Sequence, residues 1–497
     1  MVENLIPNLV KIEKVKSNSL KLSCVDPELF NKIRSKFAWK NPGCRYIAAY
    51  RMGLVDGYQY CINKSGVFNT GLLKNIVKQI NDYGYSIEYD KETTVYLKAS
   101  TNKGCIVDKN ILPNKSISLR DYQVTGVEAM SNNLRCIVKL PTASGKSAVI
   151  TAFILHCIRD NKPWKYFIVL VPTKSLVEQF RDDMVRDYGL PKELVGVLYS
   201  EDKTWDGSQK ILISTRDSMN LRKDICEKLK GTLCILINDE CHTTKSDMTS
   251  SIIERIDPAA VIGLTGTMPT DPYDYHCVVG NNGPVEYEEK TVDLQESGYL
   301  PNCIVKVCKI ELIKGLKGDW DKEKHDIRHS NIWGSRLMLM IKQRVNNGKN
   351  CLVLVHHELT GDILKMWLDK YSVDCVFFSG NNSSGKGRQK YRSFMEENHG
   401  KVIIATYGVY STGISIKNLQ TLFLTEHAPG ACTLIQSVGR LLRNHKSKEI
   451  EPVEIIDIYT NLHYSNKHKQ VRKRTYDSER YNYEDYIVNK DGTITKT

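Results

Sequence analysis

Leu140-Pro141-Thr142-Ala143-Ser144-Gly145-Lys146-Ser147 stands between the apolar run Cys136-Ile137-Val138-Lys139 and the apolar run from Ala148 to Phe153. Read outward, this is a strand, a turn of small residues and a helix start with a lysine and a hydroxyl on its first turn. Unpaired backbone N–H groups and the positive end of a helix hold phosphates; Lys146 would reach the outer ones and Ser147 would offer its oxygen to Mg2+. The stretch predicts a nucleoside triphosphate site on a strand–loop–helix unit. The strict phosphate-loop pattern wants glycine where Leu140 stands, so the rest of the chain has to supply the partners of such a site.

Bulk composition narrows the class. A chain of 497 residues is too long for one core and should hold about three domains. No apolar run approaches the ~18–20 residues that span a bilayer, and Met1-Val2-Glu3-Asn4 lacks the basic-then-apolar layout of a signal peptide. A cytoplasmic chain with no membrane partner is therefore expected. The 15 cysteines form no Cys-x-x-Cys pair, which excludes a zinc ribbon and a thiol redox motif. Cys136, Cys234, Cys351 and Cys375 sit in strand-like apolar runs, where thiols act as small core hydrophobes, in keeping with a reducing compartment. The net charge of +13 favours a polyanionic partner. Lys467, Lys469, Arg472, Lys473 and Arg474 crowd one stretch, readable as a solvated helix face or as a surface that tracks phosphates.

Along the chain, residues 1–105 read as a small α+β unit. Lys21–Val25 is a candidate strand, Pro27–Phe37 a helix, Tyr46–Tyr50 and Tyr58–Ile62 a hairpin around Val55-Asp56-Gly57, and Leu72–Tyr83 a helix with Leu73, Ile76, Val77 and Ile80 on one face. Arg45, Arg51 and several tyrosines line that hairpin, as core or edge tyrosines or as stacking platforms for bases. Residues 106–298 then alternate strand and helix, with strands at Cys136–Leu140, Tyr166–Val171, Lys210–Ser214, Leu233–Asn238 and Ala260–Leu264. Ser175–Tyr188 and Thr249–Ile256 fit the helices between. Such a rhythm implies a parallel sheet covered on both faces, with ligands at the carboxyl ends of the strands. A second alternating block covers 299–462, with strands at Cys351–Val355, Cys375–Phe378, Val402–Ala405, Thr421–Leu424 and Val453–Ile456. It repeats no phosphate-loop features. Lys314–Ser330 reads as a loop-rich connection, and 463–497 as a basic, then polar, extension. The expected class is α/β: two tandem parallel-sheet lobes preceded by a small α+β domain.

The chemistry-bearing residues follow in order. Ile235-Leu236-Ile237-Asn238-Asp239-Glu240-Cys241-His242 is a buried strand ending in two acids; alternation would put them on different sides, one holding Mg2+ through water and the other orienting the attacking water. Gln123, in Leu119-Arg120-Asp121-Tyr122-Gln123, can both donate to and accept from an adenine edge. Val171-Pro172-Thr173 and Ser214-Thr215 close strands with hydroxyls and free N–H groups, which grip a nucleic acid backbone without reading sequence or simply cap helices. Leu264-Thr265-Gly266-Thr267 ends the next strand in the same style and could link the two sites. In the second block, Ala405–Ile414 is a strand followed by a hydroxyl- and glycine-rich turn. In Gln436-Ser437-Val438-Gly439-Arg440-Leu441-Leu442-Arg443, helical spacing would project Arg440 and Arg443 together, as a surface ion-pair face or as an arginine finger for a γ-phosphate.

As an ordered series these residues resemble the superfamily-two DExH-box helicases. The series runs Arg120–Gln123, Pro141–Ser147, Val171–Thr173, Ser214-Thr215, Asp239–His242, Thr265–Thr267, Thr406–Ser415 and Gln436–Arg443. Asn238–His242, Tyr407-Gly408-Val409, Ser411–Ser415 and Lys417-Asn418-Leu419 carry a nearer resemblance, to the UvsW-type recombination and repair DNA helicases of T-even-like bacteriophages. The resemblance implies two RecA-like lobes, with ATP and Mg2+ held by Pro141, Thr142, Ala143, Ser144, Gly145, Lys146, Ser147, Arg120, Gln123 and Gly413. It implies catalysis by Lys146, Asp239, Glu240, Gln436, Arg440 and Arg443, with Ser147 and Asp239 on the metal. Nucleic acid would lie on Pro172, Thr173, Thr215, Thr406, Tyr407 and Thr412, with His242, Thr265 and Thr267 coupling the sites. It further implies 3′ to 5′ travel on single-stranded and branched DNA (D-loops, R-loops with their RNA, Holliday junctions and stalled forks) in recombination, replication and repair. A monomer is expected, open to a small regulatory protein. Leu140, Ala143 and Ser415 depart from the usual pattern. An RNA helicase or RNA-dependent ATPase, the motor subunit of a restriction system, and a passive annealing protein remain the alternative readings; no clustered metal-binding acids outside the motor support cleavage of the substrate.

Overall fold

A computed structural model describes residues 9–99, 104–200, 202–312, 319–379, 393–413, 416–425, 430–449 and 451–497. The chain divides into two compact units, residues 1–140 with 145–288, and residues 141–144 with 289–497.

The first unit is built on an eight-stranded sheet. Its order is Asp202–Lys203, Val195–Tyr199, Ile211–Thr215, Tyr166–Val171, Cys234–Asp239, Ala260–Thr265, Arg135–Lys139 and Val285–Glu288. Only the first pair is antiparallel. The central strands are buried along nearly their whole length. Continuous Val/Ile/Leu runs rather than alternating ones are what helices on both faces demand. Each fully buried aliphatic side chain of this kind contributes about 1.5–3 kcal/mol.

The second unit repeats the plan. Its sheet runs Cys375–Phe378, Val402–Thr406, Cys351–Val355, Thr421–Leu424, Val453–Thr460, Cys303–Ile310, Tyr483–Val488 and Ile494–Lys496, parallel up to the last strand. Take the six strands from Arg135–Lys139 to Ala260–Thr265 and the six from Cys303–Ile310 to Val453–Thr460, each numbered in chain order and with the two-residue Asp202–Lys203 left aside. Both sets then lie in the order third, fourth, second, fifth, sixth, first. The two lobes are thus one topology used twice, the RecA-like arrangement expected from the alternation.

The N-terminal residues form a four-stranded sheet in the order Val67–Asn69, Ser19–Cys24, Leu9–Lys16 and Ser86–Tyr89. It shares a hydrophobic core with the first lobe: Val10, Leu22, Phe68, Leu72 and Ile76 cluster with Ile137, Cys241, Val278 and Val279. Buried polar groups pin the joint. The Asn18 amide donates to Asn281 Oδ1 at 2.9 Å, and Arg135 Nη1 donates to Asn18 Oδ1 at 2.8 Å. Gly71 is required by close approach, since a Cβ there would stand 2.0 Å from the Val279 carbonyl oxygen.

Several expectations are corrected. Tyr46–Tyr50 and Tyr58–Ile62 do not form a hairpin. Cys44–Tyr46 is one helical turn and Ala48–Arg51 a short helix, and Tyr58–Tyr60 pairs instead with Ala38–Lys40. Ala48-Ala49 favours helix, and Asn41 and Asp56 bond nearby backbone N–H groups, which turns the chain earlier and later than the assumed tip. The connection assigned to Lys314–Ser330 contains a helix at Trp320–Arg328, capped by Asp319; residues 313–318 lie outside the described residues. The segment after residue 462 is no appendage, because helix His463–Glu479 leads into strand Tyr483–Val488, which extends the second sheet. Arg472 in its basic stretch is buried against Asp457 rather than turned to solvent.

Candidate nucleotide and nucleic-acid site

The strand Arg135–Lys139 hands over to the phosphate loop at Leu140, whose N–H donates to the Thr265 carbonyl at 2.8 Å. Ala143 and Gly145 both take left-handed conformations, at φ 69° and 82°. Gly145 needs to be glycine twice over, since a Cβ would also stand 2.6 Å from the Gln123 amide nitrogen. Helix Lys146–Arg159 starts immediately after, so Lys146 and Ser147 occupy its first turn. Pro141 and Ser144 are buried, and Thr142 and Ala143 half-buried. Gln123 is itself buried and takes the Arg120 N–H on Oε1 at 2.9 Å, while Arg120 Nη1 donates to the Tyr122 hydroxyl at 3.2 Å.

The two acids lie opposite the lysine. Strand Cys234–Asp239 ends at Asp239, and Glu240 leaves it in a left-handed conformation at φ 49°. The acids are therefore separated by a turn, not by strand alternation. A non-glycine residue held this way costs of order 1–3 kcal/mol, a strain found at functional sites. Glu240 lies 3.3 Å from the Lys146 ammonium and 3.3 Å from His242 Nδ1. Burial opposes its ionisation, but the Lys146 and His242 charges and hydrogen bonds outweigh burial and hold its carboxyl below the usual range. Burial and the Glu240 charge push Asp239 the other way, above the usual range. Asp239 Oδ1 is buried without a hydrogen-bond partner, the kind of vacancy in a donor set that a hard divalent cation satisfies.

Thr265 joins these groups to the next strand end. Its hydroxyl meets His242 Nδ1 at 2.8 Å, donates to the Thr267 carbonyl at 2.7 Å and accepts the Thr267 N–H at 3.2 Å. The three residues expected to couple the sites are brought together in one hydrogen-bonded chain beside Glu240.

The strand-gripping candidates are placed less uniformly. Pro172 and Thr173 are half-buried ahead of helix Lys174–Asp182, with Thr173 Oγ1 3.2 Å from Ser175 Oγ. Thr215 is buried, and its hydroxyl accepts the Ser218 N–H as the cap of helix Arg216–Leu221. In the second unit, Thr406 ends a buried strand and Tyr407 opens the helix Tyr407–Gly413. The side chain of Thr412 lies outside the described residues, as do Ser415 and any side-chain contact at Gly413. Gln436 and Arg440 share a face of helix Ala431–Leu441, but Leu442 caps that helix, so Arg443 lies beyond it. Both guanidinium charges nonetheless act on the buried Tyr410. Arg440 Nη1 donates to the Tyr410 carbonyl at 2.5 Å, tying the two helices together.

Three residues escaped the sequence reading. Arg216 is buried and donates to the Asp239 carbonyl at 2.5 Å and to Thr243 Oγ1 at 2.5 Å. The Tyr188 and Ser147 hydroxyls share a hydrogen bond of 2.8 Å. Lys448, buried and pushed down to about 7 by burial and by Arg443, donates to the Leu441 and Arg443 carbonyls at 2.6 and 2.8 Å. Adjacency of Arg216 to Thr215 was the only available signal; the others are contacts between residues far apart in sequence or beyond a helix end.

Several known proteins are similar to this chain. Residues 116–270 match the family described as "Type III restriction enzyme, res subunit", a span that holds Pro141–Ser147, Asp239, Glu240 and Thr265. The chain is similar to a helicase over nearly its whole length. It is 26% identical to the ATP-dependent DNA helicase uvsW of Enterobacteria phage T4, over 97% of this chain and 99% of that one. Among solved structures, it resembles the fragment of a putative HsdR subunit of a type I restriction enzyme from Vibrio vulnificus (TM-score 0.56, 16% identity), over 76% of this chain and 70% of that one. It also resembles the Hef helicase domain of Pyrococcus furiosus (TM-score 0.50, 15% identity), over 74% of this chain and all of that one. At such identities the two structures speak for the fold. No described helix is long and apolar enough to cross a membrane.

Proposed function

We propose that the chain is an ATP-dependent DNA helicase that remodels branched DNA. The observation that carries this is the arrangement around Glu240: a lysine from the phosphate loop on one side, and the His242–Thr265–Thr267 chain on the other. Hydrolysis and its relay are thereby wired to one carboxylate. The near end-to-end likeness to a phage DNA helicase supports DNA as the track.

Glu240, kept ionised, is the group to orient the attacking water; Lys146 neutralises the outer phosphates. Ser147 and Asp239 would hold Mg2+, which when bound neutralises charge on the phosphates. Gln123 and Arg120 would take the base, and Gln436, Arg440 and Arg443 would supply charge from the second lobe. Pro172, Thr173, Thr215, Thr406, Tyr407 and Thr412 are the proposed strand contacts, and residues 1–105 a further nucleic-acid-binding domain. Lys146 would turn from Glu240 to the outer phosphates when ATP binds and return when the γ-phosphate leaves, so the hydrogen bonds through His242 and Thr265 would reorganise with each turnover. Differential grip in the two states is what couples hydrolysis to movement.

The experiment is ATP hydrolysis with single-stranded DNA or RNA of equal length, followed by unwinding of forked, three-strand and four-way DNA. Stimulation by DNA and preference for branches are expected. Stimulation by RNA alone replaces the reading with an RNA-dependent ATPase. Lys146→Ala should abolish hydrolysis and leave strand binding largely intact; unchanged turnover would remove the assigned site.

A further inference from the structure

The stretch from residue 46 to 58 carries the densest run of exposed large hydrophobic side chains among the described residues. Of fifteen exposed large hydrophobic side chains among the described residues, six fall there: Tyr46, Ile47, Met52, Leu54, Val55 and Tyr58. Tyr46, Met52 and Leu54 are 79%, 71% and 74% exposed. Single exposed hydrophobes are ordinary, but a contiguous group marks a binding surface.

The group is held on a fixed backbone. Met52, Gly53 and Leu54 donate their N–H groups to the carbonyls of Ala48, Tyr50 and Ala49 at 2.9–3.0 Å. The base of the protrusion is closed by Asn41 N–H donating to the Gly57 carbonyl at 2.9 Å. Gly57 is forced by the Tyr50 ring, whose edge would be 2.7 Å from a Cβ. Cys44 is buried beneath, so the apolar side chains stand out from an anchored turn.

The charges beside it are mostly positive. Lys40, Arg45 and Arg51 are exposed. The one acid between residues 38 and 60 is Asp56, whose carboxylate accepts the Tyr58 N–H at 2.9 Å and the Tyr60 hydroxyl at 2.6 Å. Apolar wedges flanked by cations are how proteins unstack a base step while gripping the phosphates on either side.

We propose that Tyr46, Met52 and Leu54 form a wedge that inserts at the branch point of DNA, with Lys40, Arg45 and Arg51 on the flanking phosphates. This rests on the nucleic-acid reading above and gives the N-terminal domain a defined contact. A fork offers the wedge a base pair with one unstacked face, which costs less to open than a step inside a duplex.

The test uses the full chain. Probes are a DNA fork with 2-aminopurine at the junction, a linear duplex of the same length, and single-stranded DNA. Met52→Ser with Leu54→Ser should cut the fork-to-duplex affinity ratio about tenfold and remove the fluorescence rise at the junction. Arg45→Ala with Arg51→Ala should weaken all three probes and reduce the salt slope of binding by about 2. Binding within twofold of the parent for every probe overturns the wedge. So does an altered self-association with DNA binding unmoved, which would make the patch a protein interface. ATP hydrolysis by the parent separates the two readings: no stimulation by any nucleic acid removes the helicase reading, whereas stimulation kept in both variants with unchanged fork binding removes the wedge alone.

Discussion

The guanidinium of Arg216 donates to the carbonyl oxygen of Asp239 at 2.5 Å, and it does so from the first residue of a helix capped by Thr215. A buried cation thus bridges the end of one strand, the proposed nucleic-acid contact, and the end of another, which carries the proposed metal-binding acid. Arg216 is the side chain through which a shift of the Thr215 loop would reach the Asp239–Glu240 turn.

Replacing Arg216 by Gln should therefore lower the ratio of DNA-stimulated to basal ATP hydrolysis about tenfold, the equivalent of one charge-assisted hydrogen bond. Lys at this position should restore part of the ratio. Equal losses of basal and stimulated rates would show a role in folding alone.

Tyr188 and Ser147 share a hydrogen bond within the first unit. Burial pushes the phenol up to about 12, so it remains protonated at any working pH. Tyr188→Phe frees the serine hydroxyl to rotate, at a cost of about 1 kcal/mol. The half-saturating Mg2+ concentration for ATP hydrolysis should rise about fivefold, with little change in ATP binding measured without the metal.

The opposed shifts of Asp239 and Glu240 set a pH dependence. The folded chain holds a proton on Asp239 at pH values where the unfolded chain has lost it, so ionising Asp239 costs stability as pH rises above its ordinary value of about 4. Mg2+ held by Asp239 as proposed would need that ionised form and would compete with the proton. Half-saturating Mg2+ should fall as pH rises from mildly acid to neutral, while Glu240, held ionised, contributes no change over the same range.

Asp457 is buried on the strand Val453–Thr460, with Arg472 Nε donating to it at 2.9 Å and the Tyr476 hydroxyl at 2.9 Å. Removing one partner strands the other charge, so Asp457→Ala should destabilise the second unit by about 3–5 kcal/mol. Amide hydrogen exchange of Val453–Thr460 reads this directly. Asp457→Leu with Arg472→Met should recover much of the loss.

Much of this was legible in the sequence because burial on both faces leaves a continuous apolar run. Tyr166–Val171, Cys351–Val355 and Thr421–Leu424 stand in the fold as they read in the chain. The acid pair and Lys146 were legible for a similar reason, since strand ends and helix starts are local events. Trp320–Arg328 was not: only Trp320 and Ile327 are apolar in its nine residues, too few for a helical stripe. Strand Val285–Glu288 has a half-buried, polar pattern that periodicity alone leaves as loop. Arg216, Tyr188 and Arg472 take their roles from residues 15 to 41 positions away, and no local pattern marks them.

The interdigitation of Leu72 and Ile76 with Val278 and Val279 bears on how the N-terminal sheet can be studied. A knife placed after residue 105 would not detach a module; it would tear open a greasy seam and leave Arg135 without its Asn18 acceptor. A loss of activity in such a truncation would report a damaged engine rather than a missing sensor. Whatever the sheet grasps is thus carried on the core of the first lobe itself.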